Sequence, residues 1–164
     1  MRNYAPMQPR RASESTVKHA LAKFADVLMP QEAEEPILAP NVRAAVFEWL
    51  TEVRAADDLK AVGIKPRRTA LLYGPPGCGK TTLAHHFAAR LGQPLACIRS
   101  ESLISSYLGS TGQNIGQLFD AMAETEGKVV IFFDEVDALG GRRMNDQGAS
   151  VERANSLNVL LRRI

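Results

Sequence analysis

Apolar side chains recur along this chain with two periods, and the switches between them mark out its elements. Between Ser13 and Met29 the positions Val17, Ala20, Leu21, Phe24, Val27 and Leu28 fall on one stripe of a helix. An acidic, proline-closed linker, Pro30–Pro36, follows, then the short apolar island Ile37–Leu38. Asn41 is a suitable N-cap for a second helix with Val42, Ala45, Val46, Trp49, Leu50 and Val53 on one face, and Gly63 falls just past its end. The run Thr69–Tyr73 reads as a strand, Thr81–Leu91 as a helix and Leu95–Ile98 as another strand. Ser110 or Thr111 can cap a helix to about Thr125 that turns Ile115, Leu118, Phe119 and Met122 to one side. Five apolar residues from Val129 to Phe133, three of them β-branched, suit a strand buried on both faces. Gly140–Gly148 reads as a loop, and Ala149 onward as a helix with Val151, Ala154, Leu157, Leu160 and Leu161 inward. Strands alternating with helices predict an α/β fold.

Two of the junctions carry chemistry. Gly74-Pro75-Pro76-Gly77-Cys78-Gly79-Lys80-Thr81 fits G-x-x-x-x-G-K-[ST], between a strand and a helix as that motif requires. Glycines let such a loop curl so that successive N–H groups face anionic oxygens, and the following helix adds its positive end. Lys80 would reach the β- and γ-phosphates, the Thr81 hydroxyl would ligate Mg²⁺, and Thr82 completes the phosphate-binding set. At the second junction Asp134 and Glu135 end the apolar strand, where open α/β sheets bind ligands. Asp134 would support the Mg²⁺ shell and Glu135 would polarise the attacking water as general base, with Lys80 as its catalytic companion. Both motifs on one chain point to nucleotide binding, with ATP and Mg²⁺ as the expected ligands.

Composition narrows this little. A chain of 164 residues predicts one domain, and 45% hydrophobic with 23% charged residues is ordinary for a soluble protein. The formal charge of +2 argues neither for nor against nucleic acid. No apolar run reaches the roughly 18–20 residues of a membrane span, so no membrane partner is expected. Two cysteines, Cys78 and Cys97, without a signal-peptide core point to a reducing compartment, hence the cytoplasm. Residues 1–12 read as a basic, disordered tail.

From about Asn41 to Ile164 the chain resembles the AAA+ ATPases, in particular the classical AAA branch of unfoldases and remodelers. Ala70–Thr81 looks like that family's Walker A segment, Val130–Gly140 like its Walker B segment, and Ser102–Asn114 between them like its pore-loop segment. The resemblance implies a P-loop NTPase-type parallel sheet flanked by helices, with an N-terminal helical extension. It divides the chain into a tail, helix and acidic linker over 1–40 and a partial nucleotide-binding domain over 41–164. It further implies a homo-oligomer, a hexameric ring, in which Tyr107, Leu108 and Gly109 would line the pore and grip a protein substrate. Ser110 stands where relatives often carry an acid, and Cys78 where Thr or Ser is usual.

In the family's strand order, 5-1-4-3-2, the strand between those of Walker A and Walker B comes later than Ile164. The implied αβα core is therefore incomplete, and the chain is expected to be the N-terminal piece of a longer protein. Arg142 and Arg143 follow Walker B too soon to serve as arginine fingers and read as a solvated loop. The function implied is ATP hydrolysis coupled, in the complete oligomer, to remodelling of protein. One alternative is a nucleotide-binding or interaction module without turnover. Another is a DNA-directed AAA+ ATPase, against which the pore triplet counts.

Overall fold

The computed structural model describes residues 14–103, 110–125 and 128–134. The basic tail, Tyr107, Leu108, Gly109, Glu135, the arginines Arg142 and Arg143, and the loop and helix expected after residue 140 lie outside the described residues. Within them the chain forms α1 (Glu14–Leu21), β1 (Ala25–Leu28), a 3-10 turn (Pro30–Glu32), α2 (Pro40–Arg54) and α3 (Ala56–Ala61). There follow α4 (Lys80–Arg90), β2 (Leu95–Ile98), α5 (Ser100–Leu103), α6 (Ser110–Glu124) and β3 (Val130–Phe133).

The fold is mixed α/β, with a sheet ordered β1-β2-β3. β3 runs parallel to β2, pairing Leu95 with Val130 and Ile98 with Phe133. β1 runs antiparallel on the other edge of β2, pairing Ala25 with Ile98 and Leu28 with Leu95. Side chains alternate across the pleat and so sort into two cores. On one face Ala25, Ala96 and Ile98 meet Val17 and Leu21 of α1, Leu103 of α5, and Ile115 and Leu118 of α6; Val27, Ile131 and Phe133 pack against them. On the other face Leu95 meets Ala84 and Ala88 of α4, with Leu28, Cys97, Val130 and Phe132 alongside. Helices therefore cover both faces of the sheet.

Two expectations are corrected here. The helix predicted from Ser13 to Met29 stops at Leu21, and its second half becomes β1. Val17, Leu21 and Phe24 do share one buried surface, but the backbone of β2 needs hydrogen-bond partners on both edges, and Ala25–Leu28 supplies one of them. Arg99 holds the turn: its N–H donates to the Phe24 carbonyl at 2.9 Å and its guanidinium to Ala22 O at 2.8 Å and Asp26 Oδ1 at 2.9 Å. The sheet is consequently mixed rather than all parallel.

The second correction concerns the strand predicted over 69–73, since those residues form no strand. Leu72 packs beside the α4 core, while Leu71 and Tyr73 are 75% and 90% exposed. Alternation is kept, but no described strand lies alongside to complete a ladder, and a strand exists only through its pairing.

α2 starts one residue before the proposed cap. Pro40 occupies its first turn, where a missing N–H costs nothing, and Ala39 is the N-cap. α2 and α3 are separate helices, and Gly63, at φ +79°, closes the second.

Candidate functional site

The turn after α4 sets the direction of the site. Leu91 and Gly92 close the helix, and Gln93 N–H returns to the Ala88 carbonyl at 3.0 Å before β2 begins at Leu95. α4 thus runs back along the sheet, antiparallel to β2, with Ala84 and Ala88 seated on Leu95. Its N-terminus points toward the carboxyl end of β2. β3 is parallel to β2, so Asp134, directly after Phe133, stands at that same end. The sheet in this way brings the loop at 74–81 and Asp134 to one edge of the fold.

Within the loop, Gly79 is the residue before α4 and adopts a left-handed conformation, φ +84° and ψ 23°. Any side chain there would be strained, which explains the glycine. Gly74 answers a different need, because a Cβ on it would stand 3.0 Å from the Cys78 sulfur. The first intrahelical bond runs from Leu83 N–H to the Gly79 carbonyl at 2.9 Å. The N–H groups of Lys80, Thr81 and Thr82 precede it and have no acceptor within the helix. The Lys80 ammonium donates to the carbonyls of Gly74 at 3.2 Å and Pro75 at 3.1 Å, and lies 3.9 Å from Cys78 Sγ. Lys80 therefore spans the loop it follows, and Pro75, Pro76, Gly77, Cys78 and Thr81 are open to solvent.

These groups fit a bound polyphosphate: N–H donors in the first helical turn with no acceptor within the helix, a positive helix end and the Lys80 cation across an exposed loop. Thr81 and Asp134, both exposed, fit the sparse protein ligation typical of Mg²⁺, which takes one or two protein oxygens beside phosphate and water. Among the described residues no cluster of three or more His, Cys, Asp or Glu could hold a metal by itself. Asp134 also accepts a hydrogen bond at its backbone, from Ser100 Oγ at 3.2 Å, which ties the end of β3 to the start of α5. Beneath it, burial pushes the Cys97 thiol up to about 11, with the carboxylates of Asp134 and Asp26 adding to the effect.

Residues 70–164 match the model of the ATPase family associated with various cellular activities, AAA. This chain belongs to the AAA family. It is 41% identical over 144 residues to an uncharacterized AAA family ATPase, y4kL, of Sinorhizobium fredii, covering 87% of this chain and 42% of that one. It is 44% identical over 92 residues to the 26S proteasome subunit RPT4 of Saccharomyces cerevisiae, covering 56% of this chain and 21% of the subunit. A proteasome-activating nucleotidase of Thermococcus onnurineus is 30% identical over 141 residues, 81% of this chain and 35% of the nucleotidase. The AAA chain thus spans less than half the length of each of these relatives. No helix among its described residues is long and apolar enough to cross a membrane.

The structure adds contacts around this AAA loop that sequence reading missed. His85, on the first turns of α4, is buried, and its Nε2 donates to the Met29 carbonyl at 2.8 Å, fastening the chain after β1 to the loop's helix. Trp49, read as one more member of an apolar stripe, stacks on Phe87 of α4 with ring centroids 4.0 Å apart. Arg67, read as a basic lead-in, is bound by Glu48 and Glu52 of α2. The signal available was the i, i+4 spacing of the two glutamates, which puts both on one side of α2.

Proposed function

We propose that this chain carries the nucleotide-binding half of an AAA ATPase that hydrolyses ATP. The observation that carries the reading is the convergence of the glycine loop, the α4 N-terminus and Asp134 at one end of the sheet. The loop N–H groups and Lys80 hold the β- and γ-phosphates, so that charge developing on the transferred group meets fixed donors. Thr81 and Asp134 hold Mg²⁺, which when bound neutralises phosphate charge. Glu135, next in the chain after Asp134, orients and deprotonates the attacking water. In an assembled ring, proposed as a homo-hexamer, Tyr107, Leu108 and Gly109 grip a protein substrate that is remodelled or unfolded. The likeness to a proteasome subunit and a proteasome-activating nucleotidase supports protein rather than nucleic acid as substrate.

Thermal unfolding with and without Mg-ATP tests the binding step. Ligand at ~100 times Kd adds about 2.7 kcal/mol, or roughly 5–10 °C for a chain of this size. The shift is expected in the unmodified chain and absent in Lys80→Ala. Turnover that vanishes in Glu135→Gln while the shift persists supports hydrolysis. A shift without turnover in the unmodified chain overturns the enzymatic reading for this chain and leaves a binding module.

A further inference from the structure

Helix α2 lies outside the phosphate loop, yet it grips both limbs of it. On the incoming limb, the Trp49 indole N–H donates to the Arg67 carbonyl at 3.1 Å. The Arg67 backbone N–H donates to Glu52 Oε1 at 2.7 Å, and its guanidinium donates to Glu52 Oε2 at 2.6 Å and to Glu48 Oε1 at 3.0 Å. Those bonds hold the Glu52 carboxyl below its ordinary range, the Arg67 backbone N–H first and the guanidinium second. Pro66, just before, is buried. On the outgoing limb, the same indole stacks on Phe87, the planes 20° apart. Arg54 at the end of α2 donates to the Arg90 carbonyl, the last residue of α4, at 2.5 Å. Arg67 lies seven residues before Gly74, and Phe87 seven after Lys80. One side chain therefore touches both limbs within seven residues of the loop.

We propose that Trp49 is a positioning residue for nucleotide binding, setting the separation of the two limbs that open the 74–81 loop. The inference rests on the nucleotide-binding reading above. Its physical content is pre-organisation. The segment from Arg67 to Gly74 has no strand ladder of its own among the described residues, and its first residue, Arg67, is held by side-chain bonds to α2 instead. If ligand binding draws the loop inward, the limbs move and the indole between them changes its surroundings. Trp49 is the one tryptophan of the chain, so its fluorescence reads that change without a label.

The test uses the unmodified 164-residue chain, Mg-ADP, and three measurements: Kd by equilibrium dialysis, tryptophan emission during the same titration, and melting of the ligand-free protein. Emission is expected to change and to saturate at the dialysis Kd. Trp49→Phe keeps a ring on Phe87 but loses the donor to Arg67; its Kd should rise about fivefold, the effect of one hydrogen bond. Phe87→Leu keeps the donor and loses the stack, and should weaken binding by a similar factor. Combining the two should cost less than the product of the single effects, because both act through one indole. A purely structural role would lower melting in these variants and leave Kd unchanged, and that result overturns the proposal. So does emission that stays constant while dialysis shows saturation. Absence of any Mg-ADP binding by the unmodified chain overturns the nucleotide reading itself, and this inference with it.

Discussion

Leu21→Ala isolates the packing of the first helix on the rest of the molecule. Leu21 is fully buried, in a cluster with Ile98, Leu103, Ile115 and Leu118, which come from β2, α5 and α6. Truncation removes about three methylene-sized groups, or roughly 2.4 kcal/mol at ~0.8 each. The space left beneath α1 adds about 24 cal/mol for every Å³ that the surroundings fail to fill, which brings the expected loss to about 3–4 kcal/mol. At about 2–4 °C per kcal/mol for a chain of this size, melting should fall by roughly 6–16 °C. Circular dichroism during urea and thermal unfolding reads both quantities. The denaturant slope should stay constant, because the surface exposed on unfolding barely changes. Ile37→Ala is the control: Ile37 is fully exposed, so its truncation should change stability by less than about 0.5 kcal/mol. If Leu21→Ala matched the control, α1 would not be part of the core, and the antiparallel placement of β1 that depends on the same turn would fall with it.

Other outcomes follow from single contacts. Gly79→Ala meets no atom within 4 Å, so its cost is backbone strain alone, about 1–2 kcal/mol, measurable as a lowered melting temperature alongside weakened Mg-ATP binding. Glu52→Gln should destabilise the chain at neutral pH. Because Glu52 titrates below its ordinary value of 4.5 in the folded state, its contribution is present above that value and lost as pH falls through the lower one. The melting temperatures of the variant and the unmodified protein should therefore converge in acid. Iodoacetamide at pH 8, followed by mass spectrometry, should label exposed Cys78 well before Cys97, whose thiol is held protonated up to about 11. Equal rates would mean that the sheet does not bury Cys97.

What the sequence makes legible is what local physics decides. The glycine loop can be read from one octapeptide because positive φ, helix start and cation are all encoded within it. Leu95–Ile98 and Val130–Phe133 are legible because four apolar residues flanked by turns leave few other uses. α6 is legible because Ile115, Leu118 and Met122 repeat at helical spacing. β1 is different, since Phe24, Val27 and Leu28 satisfy a helical stripe as well as a strand. The choice between them is made by the free edge of β2, far along the chain, which no local pattern records. Residues 69–73 err the opposite way: the composition is strand-like, but strand formation needs a neighbour. The grip of α2 on Arg67 was half visible, in the spacing of Glu48 and Glu52, with the partner hidden until the chain folds back.

The pairing of β1 with β2 has a consequence for how the chain is made. Asp26 and its partner Cys97 are about 70 residues apart, and a ribosome adding ~5–20 residues per second needs roughly 4–14 s to travel between them. Through that interval Val17, Leu21 and Phe24 have left the exit tunnel without the surfaces that will bury them, and α6, which completes their pocket, emerges later still. Until then these apolar side chains lack the neighbours that bury them in the folded chain. α1 reaches its native surroundings only after residues made long after it have emerged.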